Sequence, residues 1–265
     1  MIIQLAILFT LVGIATGSFL NVCIDRLPRR KSLNFPASHC DACQHPLKLT
    51  DLIPIASYLF LRGRCRYCRA RLPLRMLTVE AAGGLLFFLA YWQYGLSAWF
   101  GITVFWGCVF LVIMFIDWEH QLILNRITYP AAGIALVIMA VNSFVPGADF
   151  FPGRIFYPDN GLYSGLASGA VILVFFLLIA IIRPGAMGMG DVKLVALIGF
   201  VSGFPLVVFS MLIGVVIGGV VAIYLLAAGK KGRKDVIPYG TFLAIGPIIA
   251  LIFERQIVDW YLKFF

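Results

Sequence analysis

Long apolar runs, separated by short polar or Gly/Pro-containing stretches, place helices near residues 2–24, 78–94, 98–117, 127–145, 162–182, 192–205, 206–228 and 237–253. A helix needs about 20 apolar residues to cross a hydrocarbon core about 30 Å thick. The run from Val192 to Ala228 is too long for one pass. It is broken at Gly203-Phe204-Pro205, because proline lacks the N–H that a helix interior needs. The two halves are short, and 192–205 reads either as a full pass or as a re-entrant segment. Glu80 stands where the second helix should meet lipid or headgroups. The segment Met1 to Val22 has no basic region ahead of its apolar stretch, as a cleaved signal peptide would, and is expected to be a retained first helix.

One sizeable polar segment, 25–77, interrupts this pattern. The expected fold is therefore an all-α polytopic membrane protein with about eight transmembrane helices and a small cytoplasmic module between the first two. The expected division is a first transmembrane helix (1–24), the module (25–77) and a transmembrane domain (78–265).

Composition supports a lipid solvent. The chain is 62% hydrophobic and 12% charged, where soluble domains are about half apolar and a quarter charged. Its net charge of +9 would suggest nucleic acid in a soluble protein. Here the basic residues sit between spans and no nucleic-acid motif accompanies them, so no nucleic-acid partner is expected. Arg26, Arg29, Arg30, Lys31 and the arginines of 62–75 follow the first span, and Lys230, Lys231, Arg233 and Lys234 precede the last. The positive-inside rule makes both loops cytoplasmic. Eight spans with both termini outside satisfy this, and put Arg126, Arg183 and Lys193 inside. The Pro- and Gly-rich 146–161 loop then lies outside.

Within the module stand Cys40-Asp-Ala-Cys43 and Cys65-Arg-Tyr-Cys68. Two such knuckles about twenty residues apart fit a four-thiolate zinc site, each turn supplying one edge of the tetrahedron. The alternatives are disulfides, which a reducing compartment disfavours, or free thiols. Four protein ligands leave no open position, so the metal would be structural, which argues against a metalloprotease. His39 and His45 are expected to be surface residues, and Cys23 and Cys108 to be packing residues within spans.

Two carboxylates fall at predicted span ends. Asp117 closes the apolar run Phe110 to Ile116, with Glu119 and His120 beyond it; Asp191 follows Gly188-Met-Gly190 and precedes Lys193. Each could be a simple loop residue. Ionisable groups at membrane depth, however, are costly and usually functional. Gly188 and Gly190 would allow close packing that presents Asp191 to a neighbour. Two carboxylates sharing one proton can divide the work of hydrolysis: the ionised one takes a proton from water and the protonated one polarises the carbonyl.

The order of motifs resembles the type IV prepilin leader peptidases, bifunctional peptidase and N-methyltransferase enzymes of bacterial pilus and type II secretion systems. The blocks are Gly17-Ser-Phe-Leu-Asn-Val-Cys-Ile-Asp-Arg-Leu-Pro28, the cysteine knuckles, Ile116-Asp117 with Leu124-Asn125-Arg-Ile-Thr128, Gly188-Met-Gly-Asp-Val-Lys-Leu194 and Ile237-Pro-Tyr-Gly-Thr-Phe-Leu-Ala-Ile-Gly246. The resemblance implies that Asp117 and Asp191 are the catalytic pair, supported by Gly188, Gly190 and Lys193. It implies prepilin or pseudopilin substrates cut after glycine at the cytoplasmic face of the inner membrane. The new N-terminus, usually Phe, would then be methylated with S-adenosylmethionine. Nothing in the pattern sets an oligomeric state.

Two departures stand out. Arg75-Met-Leu-Thr-Val-Glu80 lacks the Tyr-Pro that the family often shows, and Asn125 follows Leu124 without proline. The first weakens the methyl-transfer half more than the peptidase half. No glycine-rich nucleotide fingerprint is present, and Asn21, Arg26 and Glu80 are the candidates for holding S-adenosylmethionine. Their alternative roles are a positive-inside charge for Arg26 and an ion pair with Arg75 for Glu80. An ion-coupled transporter or a membrane scaffold is the rival class, but the halves show no inverted repeat.

Overall fold

A computed structural model describes residues 2–144, 161–183, 187–229 and 238–263. The turn-rich connection expected at 146–161 lies, up to Asn160, outside the described residues, as do Lys230, Lys231, Arg233 and Lys234. Among the described residues the regular elements are helices, with two isolated β-bridges. The chain forms two compact units, Met1–Phe100 and Gly101–Phe265.

The first unit is built on α1 (Ile2–Arg26), the short α2 (Ala56–Phe60) and α3 (Arg75–Tyr94). α1 and α3 run antiparallel. Asn21 meets Met76, Gly17 meets Glu80, and Gly13 meets Gly83. The contact is made through glycine: a Cβ on Gly17 would lie 2.7 Å from Cα of Glu80, and one on Gly83 would lie 2.6 Å from the Gly13 carbonyl oxygen. Small residues bring helix backbones together where lipid supplies no hydrophobic force between them. The outer faces carry exposed Ile3, Ile7, Leu11, Leu85 and Trp92, as a lipid-facing pair requires.

In the second unit, α4 (Ala98–His120), α5 (Asn125–Phe144), α6 (Gly161–Ile182), α7 (Met189–Ser202), α8 (Leu206–Ala227), α9 (Tyr239–Ile252) and α10 (Glu254–Leu262) follow in order. The core joins Trp106, Phe110 and Ile113 to Leu194, Leu197 and Ile198 and to Leu243 and Leu251. α7 is the hub. Val192, Leu194 to Gly199, Val201 and Ser202 are all buried, and α5, α6, α8 and α9 pack on it. A helix apolar all round is one surrounded by other elements.

Helices therefore stand where the apolar pattern expects them. Among the described residues six helices, α1, α3, α4, α5, α6 and α8, are long and apolar enough to cross a membrane. α7 has 14 residues, about 21 Å at 1.5 Å per residue. α9 is bent by 81° against α10, and the two count as a seventh span only if taken together. The break at 203–205 is as expected. Gly203 caps α7 at φ +63°, and Pro205 precedes α8.

Candidate functional site

Asp117 is not a loop residue. α4 continues to His120, and Asp117 is 5% exposed within its last turn. Glu119, two residues on, is exposed, because two helical steps turn a side chain about 200°. Asp191 occupies the third position of α7, where its carboxylate accepts the N–H of Gly188, the residue before the helix. That is the return half of a capping box.

The start of α9 brings the two together. A Cβ placed on Gly240 would lie 3.0 Å from Oδ1 of Asp191 and 3.1 Å from Cγ of Asp117. The two carboxyl groups thus border one small space, and cannot be farther apart than those two distances laid end to end. Thr241 fixes one of them. Its N–H donates to Oδ2 of Asp117 at 2.6 Å, and its hydroxyl reaches the same oxygen at 2.9 Å. The hydroxyl also reaches the carbonyl of Met114, at 3.3 Å.

Ile123, in the link between α4 and α5, closes the space. It lies 2.9 Å (Cδ1) from a Cβ on Gly240 and 3.1 Å (Cβ) from one on Gly190. The close approach expected of the glycine pair is thus found at Gly190. Gly188, at φ −72° and ψ 144°, has a backbone conformation open to any residue. Lys193 turns toward α5, donating to Asn125 Oδ1 at 3.1 Å with its ammonium over the Tyr129 ring.

Gly240 and Thr241 lie in the block 237–246 that carries the resemblance, yet nothing in the sequence pairs them with either aspartate, and Ile123 carries no signal.

The four knuckle cysteines come together, with all sulfurs within 4.8 Å of one another. The knuckles are alike. In each, the first cysteine's N–H pairs with a carbonyl five residues on, the residue after the second cysteine has positive φ (Gln44, Arg69), and an isolated bridge closes the turn. Sγ of Cys40 and Cys68 are 3.8 Å apart. That is far beyond a disulfide bond, and matches the edge of about 3.8 Å in a tetrahedron with 2.3 Å metal–sulfur bonds. The N–H groups of Cys68 and Tyr67 point at the Cys65 sulfur and hold its thiol down to about 7. The donor set and its spacing fit zinc.

Asp51 clasps the module. It accepts Arg66 Nε at 2.6 Å, the Tyr67 hydroxyl at 2.9 Å and the Lys48 N–H at 3.1 Å. Tyr67 packs on His45, with ring centroids 3.8 Å apart. Cys23 is buried in α1, and Cys108, half-buried, lies in α4.

The three candidates for a methyl donor are tied to backbone. Asn21 donates to the Met76 carbonyl at 3.0 Å, while its buried Oδ1 has no hydrogen-bond partner among the described residues. Arg26 clamps the carbonyls of Ser32, Leu33 and Pro36. Glu80 accepts the Ile55 N–H at 2.6 Å and a bond from Ser18. Arg75 donates to Asp25.

Two family descriptions match the chain: the bacterial peptidase A24 N-terminal domain over residues 11–94, and the type IV leader peptidase family over residues 104–223. The first contains the cysteine cluster and the second contains both aspartates. Three relatives are each named prepilin leader peptidase/N-methyltransferase. That of Stutzerimonas stutzeri is 31% identical, covering 96% of this chain and 92% of its own. The Pseudomonas putida protein is 30% identical, with 94% and 91% covered. The Bacillus subtilis protein is 29% identical, with 98% of each covered. No solved structure matches the chain. On these matches the chain belongs to the type IV leader peptidase family.

Proposed function

We propose that this protein hydrolyses the leader from type IV prepilins and pseudopilins, with Asp117 and Asp191 as an aspartic dyad. The observation that carries this reading is the single space at Gly240, bordered by both carboxyl groups. Two carboxylates that close cannot both ionise comfortably, so the pair holds one proton. The ionised carboxylate takes a proton from water as its oxygen attacks the scissile carbonyl carbon. The protonated one gives its proton to the carbonyl oxygen. Collapse of the tetrahedral intermediate breaks the C–N bond, and a carboxyl proton passes to the leaving amine. Thr241 holds Asp117 in place throughout, and the capping bond from Gly188 does the same for Asp191. The lack of a side chain at Gly240 lets the two carboxyl groups close on one another.

The positive-inside rule supports placing this chemistry at the cytoplasmic face of the bacterial inner membrane, where a basic leader emerges from an inserted helix. The 25–77 module is read as cytoplasmic, with a structural zinc on Cys40, Cys43, Cys65 and Cys68 that orders the two knuckles. S-adenosylmethionine is the proposed methyl donor for the new N-terminus. Arg26 and Glu80 hold loop backbone to helix ends, and Asn21 joins the end of α1 to the start of α3.

The test is cleavage of a prepilin-like substrate by the full chain in detergent. Asp117→Asn and Asp191→Asn should each abolish it, and wild-type cleavage by either variant rejects the dyad. A peptidase-only reading is favoured by the altered segment before Glu80. Mass spectrometry of the product N-terminus decides, since a methyl group added by the purified enzyme removes that reading.

A further inference from the structure

Between the knuckles the chain reads Leu52-Ile-Pro-Ile-Ala-Ser-Tyr-Leu-Phe-Leu61, with no charged residue. Folding does not hide this stretch. Phe60 is 88% exposed and Leu59 60%, with Ile53 half exposed and Leu49 at 86% just upstream. A water-facing surface of a small polar module would carry charge there, and large exposed apolar groups this close together mark a contact surface.

Its position says what covers it. The Ile55 N–H is bound to Glu80 Oε2 at 2.6 Å, and Ile55 takes a positive φ of 60° at this point. Glu80 lies five residues into α3, a membrane-spanning candidate that begins at Arg75, and so about 7 Å along its axis. The backbone of α1 packs directly on Glu80 through Gly17. The segment is thus fastened beside two lipid-facing helices near their polar ends, at headgroup depth. Charge agrees. Residues 27–74 hold nine Lys and Arg against Asp41 and Asp51, and Asp51 is engaged by Arg66 and Tyr67. Exposed Arg62 and Arg64 directly follow the apolar stretch. Apolar side chains beside Arg are the composition of a segment lying in a membrane interface, and a basic surface suits anionic headgroups better than a basic leader peptide.

We propose that residues 49–60 form an interfacial wedge that seats the module on the bilayer, with Leu59 and Phe60 in the acyl boundary and Arg62 and Arg64 among the phosphates. The wedge holds the module against the membrane independently of any proteolytic activity.

The experiment uses full-length Phe60→Trp reconstituted into vesicles of phosphatidylglycerol and phosphatidylcholine, compared with wild type in the same lipids and in lipids brominated along the acyl chain. Unchanged metal content shows that the module has kept its fold. The emission added by the new Trp should be blue-shifted and mostly quenched by bromine. Added emission that is equal in the two lipids overturns the proposal. So does a blue shift that appears only when a prepilin-like peptide is supplied, which would assign the surface to substrate.

Discussion

Thr241 gives Asp117 two hydrogen bonds from one residue, its N–H and its hydroxyl meeting the same carboxylate oxygen at 2.6 and 2.9 Å. The geometry fixes the Asp117 carboxyl plane against the start of α9. Thr241→Val keeps the N–H and removes the hydroxyl. A bond to a charged acceptor contributes about 1.5–3 kcal/mol, so kcat on a prepilin-like peptide should fall about 10- to 100-fold. KM should change little. Thr241→Ser restores the hydroxyl and should recover most of the rate.

Gly240→Ala places a methyl within 3.1 Å of Ile123, Asp191 and Asp117 together. The carboxyl groups must move apart, and displacement by about 1 Å can cost about 100-fold in rate. Cleavage should drop by that order while the thermal unfolding midpoint in detergent stays near wild type. Equal losses in both would mean that Gly240 serves packing alone.

Each chain should bind one zinc. Cys40→Ser or Cys65→Ser should lose it, and the cut sites that trypsin gains should fall first within residues 27–74, because structural zinc supplies folding energy to a small module. Metal analysis of freshly purified, reduced protein checks the stoichiometry, and a metal-free but protease-resistant module contradicts the assignment.

Partial burial pushes the Asp51 carboxyl up, but its bonds from Lys48, Tyr67 and Arg66 together hold it below the usual carboxylate range. A carboxyl lowered by folding adds stability above its unfolded value, about 3.9, and that stability fades as pH falls through the folded value. The protease resistance of wild type over Asp51→Asn should therefore be full at neutral pH, begin to fade only as the pH falls below about 4, and be lost once the pH passes the folded value. A difference that is constant across this range would show that Asp51 acts without its charge.

Much of this was legible in the chain. Apolar runs located the helices because a lipid-spanning helix needs length and uniform polarity. Cys-x-x-Cys spacing located the metal centre because each knuckle is local. Other features were not legible. An apolar run cannot say whether lipid or protein surrounds it, so 192–205 looked like a weak span when α7 is a buried hub. The role of Thr241 depends on a contact with Asp117, a residue more than a hundred positions earlier. Glu119 sits closer to Asp117 in sequence than any partner in the site, yet helical rotation sends it outward.

The shortness of α7 has a mechanical consequence. At about 21 Å it falls about 9 Å short of a typical hydrocarbon core, so its ends cannot both reach the headgroups of an undistorted bilayer. Asp191 begins that helix, and its depth below the surface is set by the thickness of the leaflet around α5, α6 and α8. Longer acyl chains raise the headgroup plane above the carboxyl pair, and shorter ones lower it. In the proposed reaction, acyl-chain length would thereby control how far a leader peptide must dip to reach the carboxyl pair.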